Sequence, residues 1–145
     1  KDFSLKNLQI FDSSKLIDKR KIHLLVNRLT GELSFKISNL EINFISGDDI
    51  RKINKMHLNH DYTTDIITFS YSSDLKNIDG EIIISIDDAK INSNKFKVSF
   101  YEEIGRLVIH GILHLLGFDD HLTNDKKIMK RMENKLLSNF KFILL

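Results

Sequence analysis

The sequence predicts an α+β protein assembled in layers, on three observations. Short β-branched runs alternate with helical stretches through the first half, and the C-terminal half reads almost wholly as helix. No proline, repeat or low-complexity tract interrupts the pattern, so no domain boundary is visible between residues 1 and 145. A chain of 145 residues can bury one core without staples, and 41% hydrophobic with 29% charged residues suits a globular protein.

Leu8 to Phe11 reads as a short first strand. Asp12, Ser13 and Ser14 then offer caps for a helix from Leu16 to Leu29, with apolar Leu16, Ile17, Ile22, Leu24, Leu25, Val26 and Leu29, stopping before Gly31. Ser34 to Ser46 is a strand, clearest where Leu40, Ile42 and Phe44 alternate with Glu41 and Asn43. Gly47, Asp48 and Asp49 form a turn and cap ahead of a short helix from Ile50 to Met56. Asp65 to Tyr71 is a β-branched and aromatic strand, and Ser72 to Asp79 a polar loop. Gly80 to Ile86 is a strand apolar enough to be covered on both faces. Asp87 and Asp88 cap a helix to about Phe96; further helices run from Ser99 to Leu116 and from Thr123 to about Leu137.

Composition closes several doors. No apolar run approaches the roughly 20 residues a spanning helix needs, and Lys1 to Lys6 does not resemble a secretory signal. The expectation is a cytoplasmic protein with no membrane partner. The absence of cysteine removes disulfides, thiolate nucleophiles and cysteine-type zinc sites, so any metal must rest on His, Asp and Glu. A net charge of +2 is compatible with a nucleic-acid partner without identifying one.

The chemistry concentrates in the stretch from His110 to His121. Its helix is apolar nearly all round, with Ile104, Val108, Ile112 and Leu115 opposite or beside the histidines. Glu103, Arg106, Leu107, His110, Leu113 and His114 share the remaining face. His110 and His114, four residues apart, project together; Gly117 stands at helix-ending distance, and Asp119, Asp120 and His121 follow. Two imidazoles from a rigid helix and a third donor from the returning chain make a three-ligand catalytic metal site. In His-Glu-x-x-His peptidases the Glu after the first His is the general base. Here that position is Gly111, which argues against proteolysis. A metal-bound water remains available as the reacting group.

The segment from His110 to Asp119 resembles the signature of the YbeY family of bacterial metal-dependent endoribonucleases. Two further stretches are similar to that family: Ile53-Asn54 with Asp61-Tyr62-Thr63-Thr64-Asp65-Ile66-Ile67-Thr68-Phe69, and Gly80-Glu81-Ile82-Ile83-Ile84-Ser85. Their order and spacing extend the likeness from about residue 35 to 137. The resemblance implies a mixed, four-stranded sheet packed against helices, a zincin-like metal helix and one zinc ion. It also implies single-strand-specific cleavage in maturation of the 3′ end of small-subunit rRNA, and ribosome quality control. RNA and the small ribosomal subunit would be the partners, with ribosomal proteins or assembly GTPases beside them.

Two positions depart from the family pattern. The usual third histidine falls on Asp120, with His121 one residue later; register favours Asp120, which we prefer, and donor chemistry favours His121. An arginine usual before the Asp-x-x-Thr-Asp segment falls on Leu58, removing a bidentate phosphate partner. Arg106 is the replacement cation, or else a salt-bridge partner of Glu102 or Glu103. Glu103 is the candidate proton acceptor, and Asp65 and Asp119 the candidates to orient the ligand imidazoles. His60, Thr64 and Thr68 are candidates to line the substrate cleft. Lys126, Lys127, Lys130 and Arg131 either contact the RNA backbone or form a solvated helix face. The alternative reading is a ribosome assembly factor with a structural metal, its apolar C-terminal residues (Phe140, Phe142, Ile143, Leu144 and Leu145) being either partner surface or core.

Overall fold

The computed structural model describes residues 5–62 and 64–145, so Thr63 of the quoted motif and the first four residues lie outside it. The elements are β1 (Leu8–Asp12), α1 (Lys19–Leu33), β2 (Lys36–Ile45), α2 (Gly47–Leu58), β3 (Ile66–Ser70), β4 (Asn77–Ser85), α3 (Ile86–Phe96), α4 (Phe100–Leu115), α5 (Thr123–Phe140) and a 3₁₀ turn (Lys141–Leu144). The four strands form one mixed sheet in the order β1-β2-β4-β3. β1 and β4 run parallel to β2, and β3 is antiparallel to β4. The α+β class and the mixed four-stranded sheet expected from sequence are both found.

Several boundaries differ, each for a local reason. Helix α1 begins after Asp18, whose carboxylate accepts from Arg20 N at 3.1 Å. The stretch before it is tied down instead by Tyr101, whose hydroxyl donates to Leu16 O at 2.6 Å. Gly31 does not stop this helix; α1 runs on to a left-handed Ser34, with φ of 54°. Helices α2 and α3 are capped by the last polar residue before each, not by the aspartates. Ser46 Oγ accepts from Asp49 N, and Ser85 Oγ from Asp88 N, both at 3.1 Å. The aspartates then fall in the first turn, near the positive end of the helix dipole. Strand β4 starts at Asn77 rather than Gly80, because the backbone of β2 continues the ladder from Lys36 opposite Asn77. Pairing overrides the polar composition there.

Helix α4 is the centre of the core. Ile104, Leu107, Val108, Ile109, Ile112 and Leu113 are buried in one cluster with apolar residues of β2 and β4 and with Leu25, Val26 and Leu29 of α1. On the opposite face of the sheet, Ile50 of α2 packs with Ile67 and Ile83. Ile82 and Ile84 therefore face one layer and Ile83 the other, the double cover expected for this strand. Helix and sheet approach closely at Gly111: a Cβ built there would stand 3.0 Å from two carbons of Ile82 and 3.1 Å from Ile66 Cδ1. The position that carries the base in a His-Glu-x-x-His peptidase is here pressed on the sheet. The C-terminal apolar residues divide: Ile143 and Leu144 are buried, Leu144 lying over Gly105, whereas Phe142 and Leu145 are exposed. Among the described residues, no helix is long and apolar enough to cross a membrane.

Candidate metal centre

Helix α4 ends in a turn that folds the chain back on itself. Gly117, at φ +96°, takes the left-handed position. Its N–H bonds His114 O at 2.9 Å, and Phe118 N–H reaches Leu113 O at 3.0 Å. These two bonds satisfy carbonyls at the helix end and reverse the chain. Asp119 Oδ1 then accepts from Asp120 N at 2.7 Å and His121 N at 3.1 Å. Such a side-chain-to-backbone turn fixes the direction of Asp120.

Three donor atoms converge as a result. His110 Nε2 and His114 Nε2 are 3.1 Å apart, and Asp120 Oδ2 lies 3.7 Å and 3.5 Å from them respectively. Metal–ligand bonds of about 2.0–2.1 Å in a tetrahedron imply donor separations of about 3.3–3.4 Å, so this triangle fits a small divalent ion. His110, His114 and Asp120 could therefore bind a metal. His121 stands apart, its side chain 86% exposed and its Nε2 3.5 Å from Asp119 Oδ1. Asp119, Asp120 and His121 form a second, more exposed group that shares Asp120 with the first.

The sequence reading missed the carboxylate behind His110. Glu133 of α5 is 3% exposed, and its Oε2 makes a short contact with His110 Nδ1. A metal-bound histidine commonly donates its other ring N–H to such an acceptor. The available signal was position: Glu133 shares the buried stripe of α5 with Met129 and Leu136, where a carboxylate needs a partner.

Arg106 supplies that partner. Its Nη1 is 3.2 Å from Glu133 Oε1, and its Nε and Nη2 meet the two oxygens of Glu103 at 2.9 and 2.6 Å. The hydrogen-bonded Glu103 carboxylate raises the Arg106 pKa above the ordinary arginine range, against the opposing effect of burial. Of the two readings sequence left for Arg106, the salt bridge to Glu103 is present, with Glu133 as an unforeseen second partner. Glu103 is 1% exposed and also accepts from Asn92 Nδ2 at 3.1 Å. It is a buried carboxylate engaged at both oxygens, a different setting from the free proton acceptor expected. Asp65 Oδ2 accepts from Asn92 as well, at 3.1 Å, and Asp119 serves the turn. The carboxylate that meets the His110 ring is Glu133, where sequence offered Asp65 and Asp119.

The other candidates line two neighbouring surfaces. His60, Thr64 and Thr68 border a recess of about 280 Å³ with Leu58, Tyr62 and Asn54. There the His60 and Tyr62 rings stack at 5.2 Å, with Nδ1 of one 3.0 Å from the hydroxyl of the other. Elsewhere on α2, Arg51 is engaged with Asp61 at 2.9 Å and holds that carboxyl below its usual pKa. Lys126, Lys127, Lys130 and Arg131 line an open groove along α5. Lys126 and Lys130 also border a cleft of about 170 Å³ that contains Arg106, His110, Asp120 and Glu133. The basic stripe thus reaches His110 and Asp120.

Residues 7–141 match the family model described as Endoribonuclease YbeY. A relative of that name from Azobacteroides pseudotrichonymphae genomovar. CFP2 is 48% identical over 99 residues, 68% of this chain and 70% of the relative. One from Chlorobaculum parvum is 36% identical over 135 residues, 92% of this chain and 95% of the relative. The solution structure of TM1509 from Thermotoga maritima superposes with a TM-score of 0.64 at 27% identity, over 92% of this chain and 88% of that one.

Proposed function

The chain belongs to the YbeY endoribonuclease family, and from that premise we propose that it is a zinc-dependent, single-strand-specific endoribonuclease. Its task on this reading is maturation of the 3′ end of small-subunit rRNA and ribosome quality control in the cytoplasm. Residues 1–145 act as one hydrolase domain. The observation that carries the reading is the convergence of His110 Nε2, His114 Nε2 and Asp120 Oδ2 within 3.7 Å of one another.

On this reading one Zn2+ is held by those three side chains, with His121 outside the set. When bound, the ion supplies Lewis acidity toward a phosphoryl oxygen or a water. The protein's own part is binding and orientation. Lys126, Lys127, Lys130 and Arg131 neutralise the RNA backbone along the groove that leads to the cluster. His60, Thr64 and Thr68 contact the strand in the adjoining recess, where Leu58 leaves phosphate binding to other cations. Arg106, already bound by Glu103 and Glu133, positions rather than grips. Small-subunit rRNA is the partner, with ribosomal proteins or assembly GTPases presenting the strand to be cut.

Purified protein incubated with single-stranded rRNA fragments should cleave them, and a chelator or His114→Ala should abolish cleavage. Equal cleavage by wild type and His114→Ala would expose a contaminating nuclease and defeat the reading. Intact ribosome binding without cleavage would favour an assembly factor with a structural metal.

A further inference from the structure

We propose that Glu133 is the positioning residue of this centre: it holds His110 with the proton on Nδ1 and the Nε2 lone pair turned toward His114 and Asp120. The inference rests on the metal-site reading above and goes beyond it, because it assigns a residue outside the three donors. Which nitrogen of a neutral imidazole carries the proton is set by the bond made by the other. Here Glu133 Oε2 meets Nδ1 while its Oε1 accepts from Arg106 Nη1, so the carboxylate is the accepting partner on both sides and the Nδ1 proton is donated to it. That leaves Nε2 as a lone pair on the side where His114 and Asp120 stand.

Glu133 is in turn fixed, not merely near. Arg106 bridges it to Glu103, and Asn92 bridges Glu103 to Asp65. The chain of contacts runs from the residue before β3 through α3 and α4 to α5. The orientation of one ligand ring therefore depends on how three helices pack. Two carboxylates, Glu103 and Glu133, thus share the one guanidinium of Arg106 behind His110.

The test uses Glu133→Met, which removes the acceptor at similar volume, and Glu133→Gln, whose amide oxygen can still accept from Nδ1. Glu133→Ala serves if the Met variant does not fold. The first readout needs no metal: nitrogen NMR of the His110 ring at mildly alkaline pH. Wild type and Glu133→Gln should show the Nδ1–H form, and Glu133→Met the Nε2–H form. The second is zinc affinity by chelator competition, expected to fall about 10–100-fold in Glu133→Met and to recover in Glu133→Gln. An unchanged His110 tautomer in folded Glu133→Met overturns the inference, even where His114→Ala loses zinc as the metal reading requires. Zinc binding by His114→Ala as tight as wild type overturns the metal reading, whatever the tautomer shows.

Discussion

His110 and His114 face each other across 3.1 Å between Nε2 atoms, with their ring planes at 73°. At that separation only one of the two neutral rings can place a hydrogen between them. With Nδ1 of His110 directed at Glu133, its Nε2 is the accepting side. His110, His114 and Asp120 would together offer a shared cation three donor atoms at this point.

Side-chain direction favours Asp120 as the third donor, and two single substitutions separate it from His121. Asp120→Ala should lower zinc affinity by at least about 10-fold, since even the outer partners of a metal ligand cost that much. His121→Ala, whose ring points to solvent, should leave the affinity close to wild type. Chelator competition on the purified variants measures both. The reverse ranking would move the donor to His121.

Two glycines should respond in opposite directions to alanine. Gly117 holds φ +96°, and a Cβ there would lie 2.8 Å from Leu75 Cδ1, so Gly117→Ala should cost about 1–2 kcal/mol. It should also weaken metal binding, because the turn that aims Asp120 would shift. Gly31 sits in an exposed turn of α1 with nothing within 4 Å of a built Cβ. Gly31→Ala should stabilise by about 0.5–1 kcal/mol. Denaturant melts of both variants check the pair.

Glu81 imposes a pH signature on the sheet. Burial raises its pKa above the ordinary 4.5, and Glu41, its register partner on β2, adds repulsion; His57 works in the other direction. The folded chain thus binds this proton more tightly than the unfolded chain does. That advantage is complete below the unfolded value and is lost as pH rises through the folded one. Glu81→Gln, which keeps an oxygen for the Asn43 side-chain N–H, should accordingly raise the melting temperature at neutral pH. The gain should vanish below about pH 4. A gain that persists in acid would point to packing instead.

RNA binding should follow the basic stripe on α5. Replacing Lys126, Lys127, Lys130 and Arg131 with alanine should weaken single-stranded RNA binding without sequence preference. The slope of log affinity against log salt should flatten by about 0.7 for every phosphate no longer neutralised. Filter binding across a salt series reads both quantities. An unchanged slope would mark these side chains as a solvated helix face.

Much of this site was legible because its parts are local in sequence. Spacing placed His110 and His114 on one helical face, and Gly117 announced the turn. Glu133 was not legible in the same way. It stands 23 residues from His110, and only the docking of α5 on α4 brings the two together. Asn92 escaped for the same reason, since its two carboxylate partners belong to other elements. Misplaced boundaries have a related origin. Gly31 and Asn77 carry weak local preferences, and the surrounding helix and the β2 ladder overrule them.

The tether between α4 and the chain beyond it has a consequence for how a copy of this protein comes into being. His110 and His114 are synthesised before Asp120, before Glu133, and before the Leu144 that seats over Gly105. A domain generally folds as a unit. Until that happens the two imidazoles stand without Asp120 and without the Glu133 carboxylate behind His110. The geometry that could take up a metal is therefore a product of completed folding, absent from a chain that still lacks α5 and the turn before it.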